Sequence, residues 1–178
     1  YSYRDIRIEN HRFGFQVDAL GEVRFENGLP GEHNVQNATA AMLAASGFVS
    51  AQNMAEAVKT FKGAKRRFEI IFEDADHVYI DDYAHHPTEL KYAIDTARKL
   101  YPHRKLTAIF QPHLFSRTRD LADDFAKELS VADELILMPI YPAREQPLPG
   151  VTSEMIVERA GKGEIRTHTQ IEEKLAQN

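Results

Sequence analysis

Short apolar segments alternate with longer amphipathic segments in the second half of the sequence, and this alternation constrains the fold more than any other feature. The apolar segments span residues 78–80, 106–110 and 135–140, and each is followed by a stretch with helical spacing of its apolar residues. Residues 165–168 have the pattern of a further strand. Continuous apolar strands that alternate with amphipathic helices are typical of a parallel sheet covered on both faces. The sequence therefore predicts an α/β fold with a mostly parallel sheet flanked by helices.

The first part of the sequence has other periodicities and predicts a small β-sheet followed by two helices. Apolar residues alternate with period two through residues 6–25, which indicates short antiparallel strands. The spacing then becomes helical, and we predict one helix with Asn34 as its N-cap and a second with Asn53 in that position. The basic stretch at residues 65–67 follows these helices, and we place a domain boundary there.

The composition excludes several classes of function. The formal net charge of −5 argues against a general nucleic-acid binder, which would carry a basic surplus. No apolar run approaches the roughly 18 residues that a membrane-spanning helix needs, so we expect no membrane insertion. The absence of cysteine excludes disulfides, thiolate metal sites and cysteine nucleophiles, and it fits a cytoplasmic protein. Because the sequence begins with Tyr1 in a predicted strand and ends at Asn178 in a predicted helix, we expect it to be a fragment.

Polar residues collect in the segments that follow the predicted parallel strands. These segments are DDYAHHP at residues 81–87, QPHLFSRTR at 111–119 and YPARE at 141–145. Because ligands bind outside the carboxyl ends of the strands in an open α/β sheet, we expect the three segments to form one polar site. Arginine side chains suit carboxylate and phosphate groups, and the N-terminus of the helix that follows each segment would add positive charge. The residue types therefore predict an anionic ligand.

Simpler interpretations and one alternative chemistry stay open for these segments. The Asp-Asp pair at residues 81–82 could form a solvated turn, and the adjacent histidines could cap the helix that follows them. The segments also offer nitrogen and oxygen ligands of the type that zinc prefers, namely Asp81, Asp82, His85, His86 and His113. Adjacent histidines are poorly spaced for two ligands on one helical face, so a metal-dependent hydrolase is the less favoured alternative.

Six blocks of sequence resemble the Mur ligases of bacterial peptidoglycan synthesis and occur in the same order as in that family, from about residue 28 to the mid-150s. The blocks are GEHNVQNATAA at 31–41, FKGAKRRF at 61–68, DDYAHHPTE at 81–89, FQPH at 110–113, SRTR at 116–119 and YPA at 141–143. The family has three domains, which bind the UDP-sugar, ATP and the amino acid. The resemblance implies that residues 1–66 are the C-terminal part of the central ATP-binding domain. It implies that residues 67–178 are the Rossmann-like C-terminal domain, truncated at its end.

The resemblance also implies an ATP-dependent amide ligation, in the branch of the family that adds L-alanine to UDP-N-acetylmuramate. ATP converts the muramate carboxylate to an acyl phosphate, which the amine of L-alanine then attacks. The implied partners of this bacterial, cytoplasmic enzyme are ATP, L-alanine and UDP-N-acetylmuramate, and Mg²⁺ is the implied cofactor. We expect the metal ligands to lie mostly outside this chain, which also lacks the P-loop that would cradle the ATP phosphates. We therefore expect no ligase activity from the chain alone, and its oligomeric state stays open.

Two alternatives to this activity are kept. Within the family, recycling ligases join a murein tripeptide to UDP-N-acetylmuramate and share most of the blocks, but Tyr83 and Phe68 favour the alanine-adding branch. From a different class, the chain could be a stand-alone nucleotide- or metal-binding module. Against this second alternative, Asn37 and Arg67 make sense as ligand-binding residues only opposite a P-loop.

Carried over position by position, the resemblance implies a site in two groups. The nucleotide-binding group comprises His33, Asn34, Asn37, Arg67, Asp82 and Tyr83. Within it, Asn37 is implied to bind the adenine edge, Arg67 the phosphates and Asp82 the ribose hydroxyls. An asparagine amide suits an adenine edge because it donates and accepts hydrogen bonds at the same time. Tyr83 lies where its ring could flank the adenine.

The second group is implied to bind the incoming amino acid and its carboxylate. It comprises His85, His86, His113, Arg117 and Arg119, of which His85, His113 and Arg117 are the implied catalytic residues. The sequence departs from the family pattern at Leu114, where many relatives carry a second arginine, and at Arg144, where relatives often carry glycine. Carboxylate binding is therefore expected to depend mainly on Arg117, helped by Arg119 or His85.

Overall fold

The computed structural model describes residues 2–175. The chain forms two compact units, an N-terminal unit up to Tyr83 and a C-terminal unit from Ala84. The predicted domain boundary between residues 66 and 67 stays a prediction, and Tyr1 and residues 176–178 of the two predicted domains lie outside the described residues. None of the described helices is long and apolar enough to cross a membrane.

An antiparallel three-stranded sheet forms the first part of the N-terminal unit, as the period-two pattern predicts. In spatial order it consists of β1 (Tyr3–Glu9), β2 (Arg12–Val17) and β3 (Arg24–Asn27). Because successive side chains of a strand point to opposite faces, β2 buries Phe13, Phe15 and Val17 on one face and exposes Arg12 on the other. The ring of Phe15 packs against that of Phe25 on β3, with the ring centroids 5.6 Å apart.

Two helices follow this sheet, α1 (Glu32–Ala45) and α2 (Ala51–Thr60). Both begin before the predicted N-caps, so the prediction that Asn34 and Asn53 cap them is wrong. The N-cap of α1 is Gly31, which has a φ of 100° that favours glycine, and the Asn34 side chain instead donates to the Pro30 carbonyl oxygen at 2.7 Å. The N-cap of α2 is Ser50, whose hydroxyl accepts from the Asn53 amide at 3.3 Å.

A two-stranded hairpin completes the N-terminal unit, β4 (Glu69–Glu73) and β5 (Val78–Asp81). Residues 78–80 were expected in the parallel sheet, but among the described residues β5 pairs only with β4, in the antiparallel sense. The cause is the turn between the two strands, where the Asp74 carboxylate accepts from the amides of Asp76 at 2.8 Å and His77 at 2.6 Å. Strands joined by so short a turn can only pair antiparallel, since a parallel pair needs a crossover connection of about a dozen residues or more.

The C-terminal unit has the predicted α/β alternation. Its elements are α3 (Pro87–Leu100), β6 (Thr107–Phe110), α4 (Phe115–Leu129), β7 (Glu134–Leu137), α5 (Glu154–Ala160), β8 (Glu164–Ile165) and α6 (His168–Leu175). The strands form a parallel sheet in the order β6-β7-β8. On the central strand Leu135, Ile136 and Leu137 are at most 2% exposed, so both faces of the sheet are covered. The predicted α/β fold with a parallel sheet flanked by helices is therefore confirmed, although β8 is shorter than predicted.

Candidate functional site

The predicted nucleotide-binding residues lie in the N-terminal unit, three of them in the first turns of α1. The Asn34 side chain donates a hydrogen bond to the Pro30 carbonyl oxygen just before the helix begins, whereas the Asn37 side chain is exposed. Burial lowers the pKa of His33; the nearby Asp82 carboxylate opposes this shift and Arg67 adds to it. The imidazole is therefore neutral at neutral pH. The structure thus brings His33, Asp82 and Arg67 within electrostatic range of one another.

A strained turn presents Arg67 beside Asp82. The residues on either side of Arg67 have positive φ, 58° at Arg66 and 51° at Phe68, which residues with a Cβ atom rarely adopt. Hydrogen bonds at both ends hold this turn, among them one from the Tyr83 amide to the Arg66 carbonyl oxygen at 2.8 Å and one from the Phe68 amide to Oδ2 of Asp82 at 2.7 Å. One carboxylate oxygen of Asp82 therefore shapes the turn, in addition to the ribose-binding role predicted for this residue.

Sequence reasoning gave no role to Arg66, which the structure places against a predicted site residue. The Arg66 guanidinium lies over the ring of Tyr83, with Cζ 5.1 Å from the ring centroid, and its Nε is 3.1 Å from Oδ2 of Asp81. A cation–π contact at an exposed position contributes about 0.5–1 kcal/mol. The two contacts restrain the ring of Tyr83, and the only signal for them in the sequence was the pair of adjacent arginines.

In the C-terminal unit, the segments that follow β6 and β7 lie side by side at the carboxyl end of the sheet. The Leu114 amide donates to the Tyr141 carbonyl oxygen at 3.0 Å, and the Tyr141 amide donates to the Pro112 carbonyl oxygen at 2.9 Å. These bonds continue the parallel pairing of the two strands beyond their ends. The rings of His113 and Tyr141 are stacked, with centroids 5.6 Å apart. His113 is therefore held at the edge of the sheet where α/β proteins bind ligands.

The two arginines of the SRTR block have different surroundings. Arg117 is half-buried, donates from Nη1 to the His85 carbonyl oxygen at 3.5 Å, and makes no ion pair with any residue between 2 and 175. Arg119 is exposed, and its Nε lies 2.7 Å from Oδ1 of Asp120, which raises the pKa of Arg119 and lowers the pKa of Asp120. A guanidinium without an acidic partner keeps its capacity to bind a carboxylate through two parallel hydrogen bonds. Of the two arginines, Arg117 is the better placed to bind an external anion.

The adjacent histidines at the start of α3 are used differently. His86 is the N-cap, and its Nδ1 accepts from the Thr88 amide at 3.3 Å. The Glu89 carboxylate accepts from the amides of His85 at 2.8 Å and His86 at 3.2 Å, and it lies 3.2 Å from Nδ1 of His85. Helix capping is therefore the observed role of the His86 side chain. His85 contributes its carbonyl oxygen to the contact with Arg117.

The N-termini of both α3 and α4 are occupied by carboxylates of the chain itself. Glu89 accepts the amide hydrogen bonds at α3, as described above. At α4 the Glu145 carboxylate accepts from the Ser116 amide at 2.9 Å and from the Ser116 hydroxyl at 2.5 Å. The positive charge that these helix ends were expected to offer an anionic ligand is therefore partly neutralised by the chain's own carboxylates. Sequence reasoning missed Glu145 because nothing local in the sequence links it to a segment 29 residues earlier.

No group of three or more histidine, cysteine, aspartate or glutamate side chains that could hold a metal ion occurs in the part of the chain that the structure describes. The alternative of a metal-dependent hydrolase therefore receives no support from these residues. A groove of about 370 Å³ lies in the N-terminal unit, lined by residues of the three-stranded sheet and of α2 such as Arg24 and Lys59. None of the predicted site residues lines this groove.

Comparison with known proteins identifies relatives over most of the chain. The family described as "Mur ligase, glutamate ligase domain" matches residues 66–177. The chain is 49% identical over 161 residues to a UDP-N-acetylmuramate–L-alanine ligase of Porphyromonas gingivalis, an alignment that covers 89% of this chain and 35% of that protein. It is 45% identical over 162 residues to the ligase of the same name from Cytophaga hutchinsonii, with 88% of this chain and 34% of that protein covered.

Two solved structures extend this comparison to the fold. A UDP-N-acetylmuramate–alanine ligase from Thermotoga maritima has a TM-score of 0.77 at 26% identity, which covers 97% of this chain and 39% of that one. A murein peptide ligase from Psychrobacter arcticus has a TM-score of 0.58 at 26% identity, which covers 97% of this chain and 37% of that one. The chain spans about a third of the length of the curated relatives that it matches. Since the family match extends over more than half of its residues, the chain belongs to the Mur ligase family.

Proposed function

We propose that this chain is part of an ATP-dependent ligase that joins L-alanine to UDP-N-acetylmuramate in peptidoglycan synthesis. The observation that carries the proposal is the 45–49% identity to ligases of that name over 87–89% of the chain. An alignment of that extent necessarily contains residues 33–119, which include every predicted site residue. A bacterial, cytoplasmic location is part of the same proposal.

The proposed reaction forms an amide at the expense of ATP. The muramate carboxylate attacks the γ-phosphorus of ATP, which gives an acyl phosphate and ADP. The amine of L-alanine then attacks the acyl carbon, and the bond from carbon to the phosphate oxygen breaks as the amide forms and phosphate leaves. Such a reaction depends on positioning and on charge stabilisation more than on a protein nucleophile.

The C-terminal unit is proposed to position the amino acid. Arg117 binds the carboxylate of L-alanine, because it makes no ion pair among the described residues. His113 and His85, which lie at the same end of the sheet, are proposed to contact the same substrate. His86 and Arg119 were predicted in this group as well, but their contacts with Thr88 and Asp120 leave them less suited to it.

The N-terminal unit is proposed to bind the nucleotide. Asn37 contacts the adenine edge, the Asp82 carboxylate accepts from a ribose hydroxyl, and Arg67 binds the phosphates. The proposed nucleotide-binding group also includes His33, Asn34 and Tyr83. Mg²⁺ supplies screening of the phosphate charge in such transfers, and its ligands are proposed to lie mostly outside this chain.

The test is a coupled assay of ADP release by the full-length ligase that contains this chain. We expect ADP release beyond one equivalent per enzyme to require both UDP-N-acetylmuramate and L-alanine, and we expect none from the 178-residue chain alone. Continued ADP release without alanine, or ligase activity of the chain alone above a no-enzyme control, would contradict the proposal.

The same assay distinguishes the alanine-adding ligase from a recycling ligase. The recycling ligase is the second candidate because the chain is similar to a murein peptide ligase. Replacing L-alanine by a murein tripeptide tests it directly. A kcat/KM for the tripeptide above that for L-alanine would assign the chain to the recycling branch. The higher TM-score to the alanine ligase supports the opposite result.

A further inference from the structure

The helix α4, which carries Arg117, begins without a cap of its own. Its N-cap residue is Leu114, which has a φ of 73° and a side chain that cannot accept a hydrogen bond. The first amides of a helix have no partner within the helix and need an acceptor from elsewhere. An aliphatic N-cap is among the least favourable choices, and replacing a capping side chain by one of this kind usually weakens the helix start.

Glu145 supplies the missing cap from the segment that follows β7. Its carboxylate accepts from the amide and the hydroxyl of Ser116, at 2.9 and 2.5 Å. These two bonds, together with one from the Phe115 amide, lower the pKa of Glu145 below its usual range. The carboxylate is therefore ionised at neutral pH, which is the charge state that the N-terminus of a helix stabilises.

Arg117 follows directly on the two residues that Glu145 holds. The only hydrogen bond that its guanidinium makes within residues 2–175 is the long one, 3.5 Å, to the His85 carbonyl oxygen. A contact of that length restrains the side chain weakly. The backbone at Phe115 and Ser116 sets the direction in which the Cα–Cβ bond of Arg117 leaves the helix, and the weak contact at His85 adds little to that restraint.

We propose that Glu145 is a positioning residue, which fixes the first turn of α4 and thereby aims Arg117 at the carboxylate of the amino-acid substrate. The proposal rests on the proposed function where it assigns that carboxylate to Arg117. It goes beyond that function because it assigns a role to Glu145, a residue of the YPARE segment that acts through Arg117 and does not touch the substrate. A merely structural cap would stabilise the unit without selectively affecting the binding of one substrate.

The first experiment compares Glu145→Ala and Glu145→Gln in the full-length ligase, with Glu154→Ala as the matched control. Glu154 is an exposed glutamate in the first turn of α5 that makes no side-chain hydrogen bond or ion pair with the described residues. Loss of hydrogen bonds to a charged acceptor predicts an increase of about tenfold in the alanine KM for Glu145→Ala. The ATP KM is expected to stay within about twofold on the same reasoning, since no capping bond is made to the nucleotide.

The conservative variant Glu145→Gln should recover part of the alanine KM, because its amide oxygen still accepts from the Ser116 amide. Glu154→Ala should leave both KM values unchanged. An alanine KM for Glu145→Ala equal to that of the control would overturn the proposal, as would an equal increase in the KM values of both substrates.

A second measurement needs no ligase activity and so separates this proposal from the proposed function. In the 178-residue chain, NMR reports the exchange rates of the Phe115 and Ser116 amides and the Nε–H signal of Arg117. We expect Glu145→Ala to accelerate both exchange rates by about tenfold and to shift the Arg117 signal, with no change in Glu154→Ala. If the full-length protein shows no alanine-dependent turnover, the proposed function fails. The NMR experiment alone then decides whether Glu145 positions Arg117. Unchanged exchange or an unmoved Arg117 signal would then overturn the positioning role.

Discussion

Replacement of Arg117 by alanine should selectively weaken the binding of L-alanine. The structure gives Arg117 one long hydrogen bond, to a carbonyl oxygen, and no ion pair among residues 2–175, so a substrate carboxylate would be its only charged partner. A hydrogen bond to a charged group contributes about 1.5–3 kcal/mol. Since about 1.4 kcal/mol corresponds to a factor of ten, we expect the alanine KM to rise between roughly tenfold and a hundredfold.

Arg119 is the matched control for this experiment, because it lies two residues further along the same helix but is paired with Asp120 at 2.7 Å. In the full-length ligase at saturating ATP, Arg119→Ala should change the alanine KM by less than about twofold, since exposed ion pairs contribute little. Introducing Leu114→Arg into the Arg117→Ala variant should restore part of the affinity if both positions face the same carboxylate. An unchanged alanine KM in Arg117→Ala would refute the reasoning and transfer the role to Arg119 or His85.

Three further predictions concern the nucleotide, the core and acid stability. In the full-length ligase, Asp82→Ala should mainly raise the ATP KM, and a rise confined to the alanine KM would show that the two groups are wrongly assigned. In urea unfolding of the chain, Phe125→Ala should cost about 3–5 kcal/mol, because the ring is 1% exposed; Phe125→Leu should cost less. The pKa values of Glu134 and Glu164 are lowered to about 2 from the ordinary 4.5, first by hydrogen bonds from Lys105 and Arg166, respectively, and next by Lys174, which contacts both carboxylates. Because the folded-state pKa values are depressed, this stabilisation is complete above about pH 4.5 and is lost as the pH falls towards 2, so the stability difference between wild type and Lys174→Met should shrink over that range.

The fold of the C-terminal unit could be predicted because its signals are local. Each apolar run and each helical stretch is visible within about 15 residues, and α4 and β7 form where the pattern predicts a helix and a strand, although β7 ends at Leu137 and not at residue 140. The hairpin of β4 and β5 could not be predicted in the same way. Its second strand is apolar like the parallel strands, and what decides its partner is the short turn at Asp74.

In the candidate site, too, contacts between side chains could not be predicted from local sequence patterns. The sequence identified the two arginines of the SRTR block. It did not show which of them forms an ion pair within the chain, because the contact between Arg119 and Asp120 depends on side-chain geometry. The position of Arg66 over Tyr83 depends on a turn with positive φ, which no residue type in the segment indicates. In the sequence, Glu145 was noticed only as the last residue of the YPARE segment, in which its neighbour Arg144 departs from the family pattern. Its contact with Ser116 exists only once the parallel sheet has formed.

The occupied helix ends have a consequence for selectivity. The N-terminus of a helix binds anions of many shapes, because its amides and its dipole attract negative charge without a fixed partner geometry. Glu89 and Glu145 occupy these positions at α3 and α4, so the positive charge offered at this edge of the sheet comes from a guanidinium instead. A guanidinium has planar, paired donors that match the two oxygens of a carboxylate. We therefore expect this edge of the sheet to prefer a flat carboxylate over inorganic anions of similar charge, and Glu145→Ala should weaken that preference by exposing the end of α4.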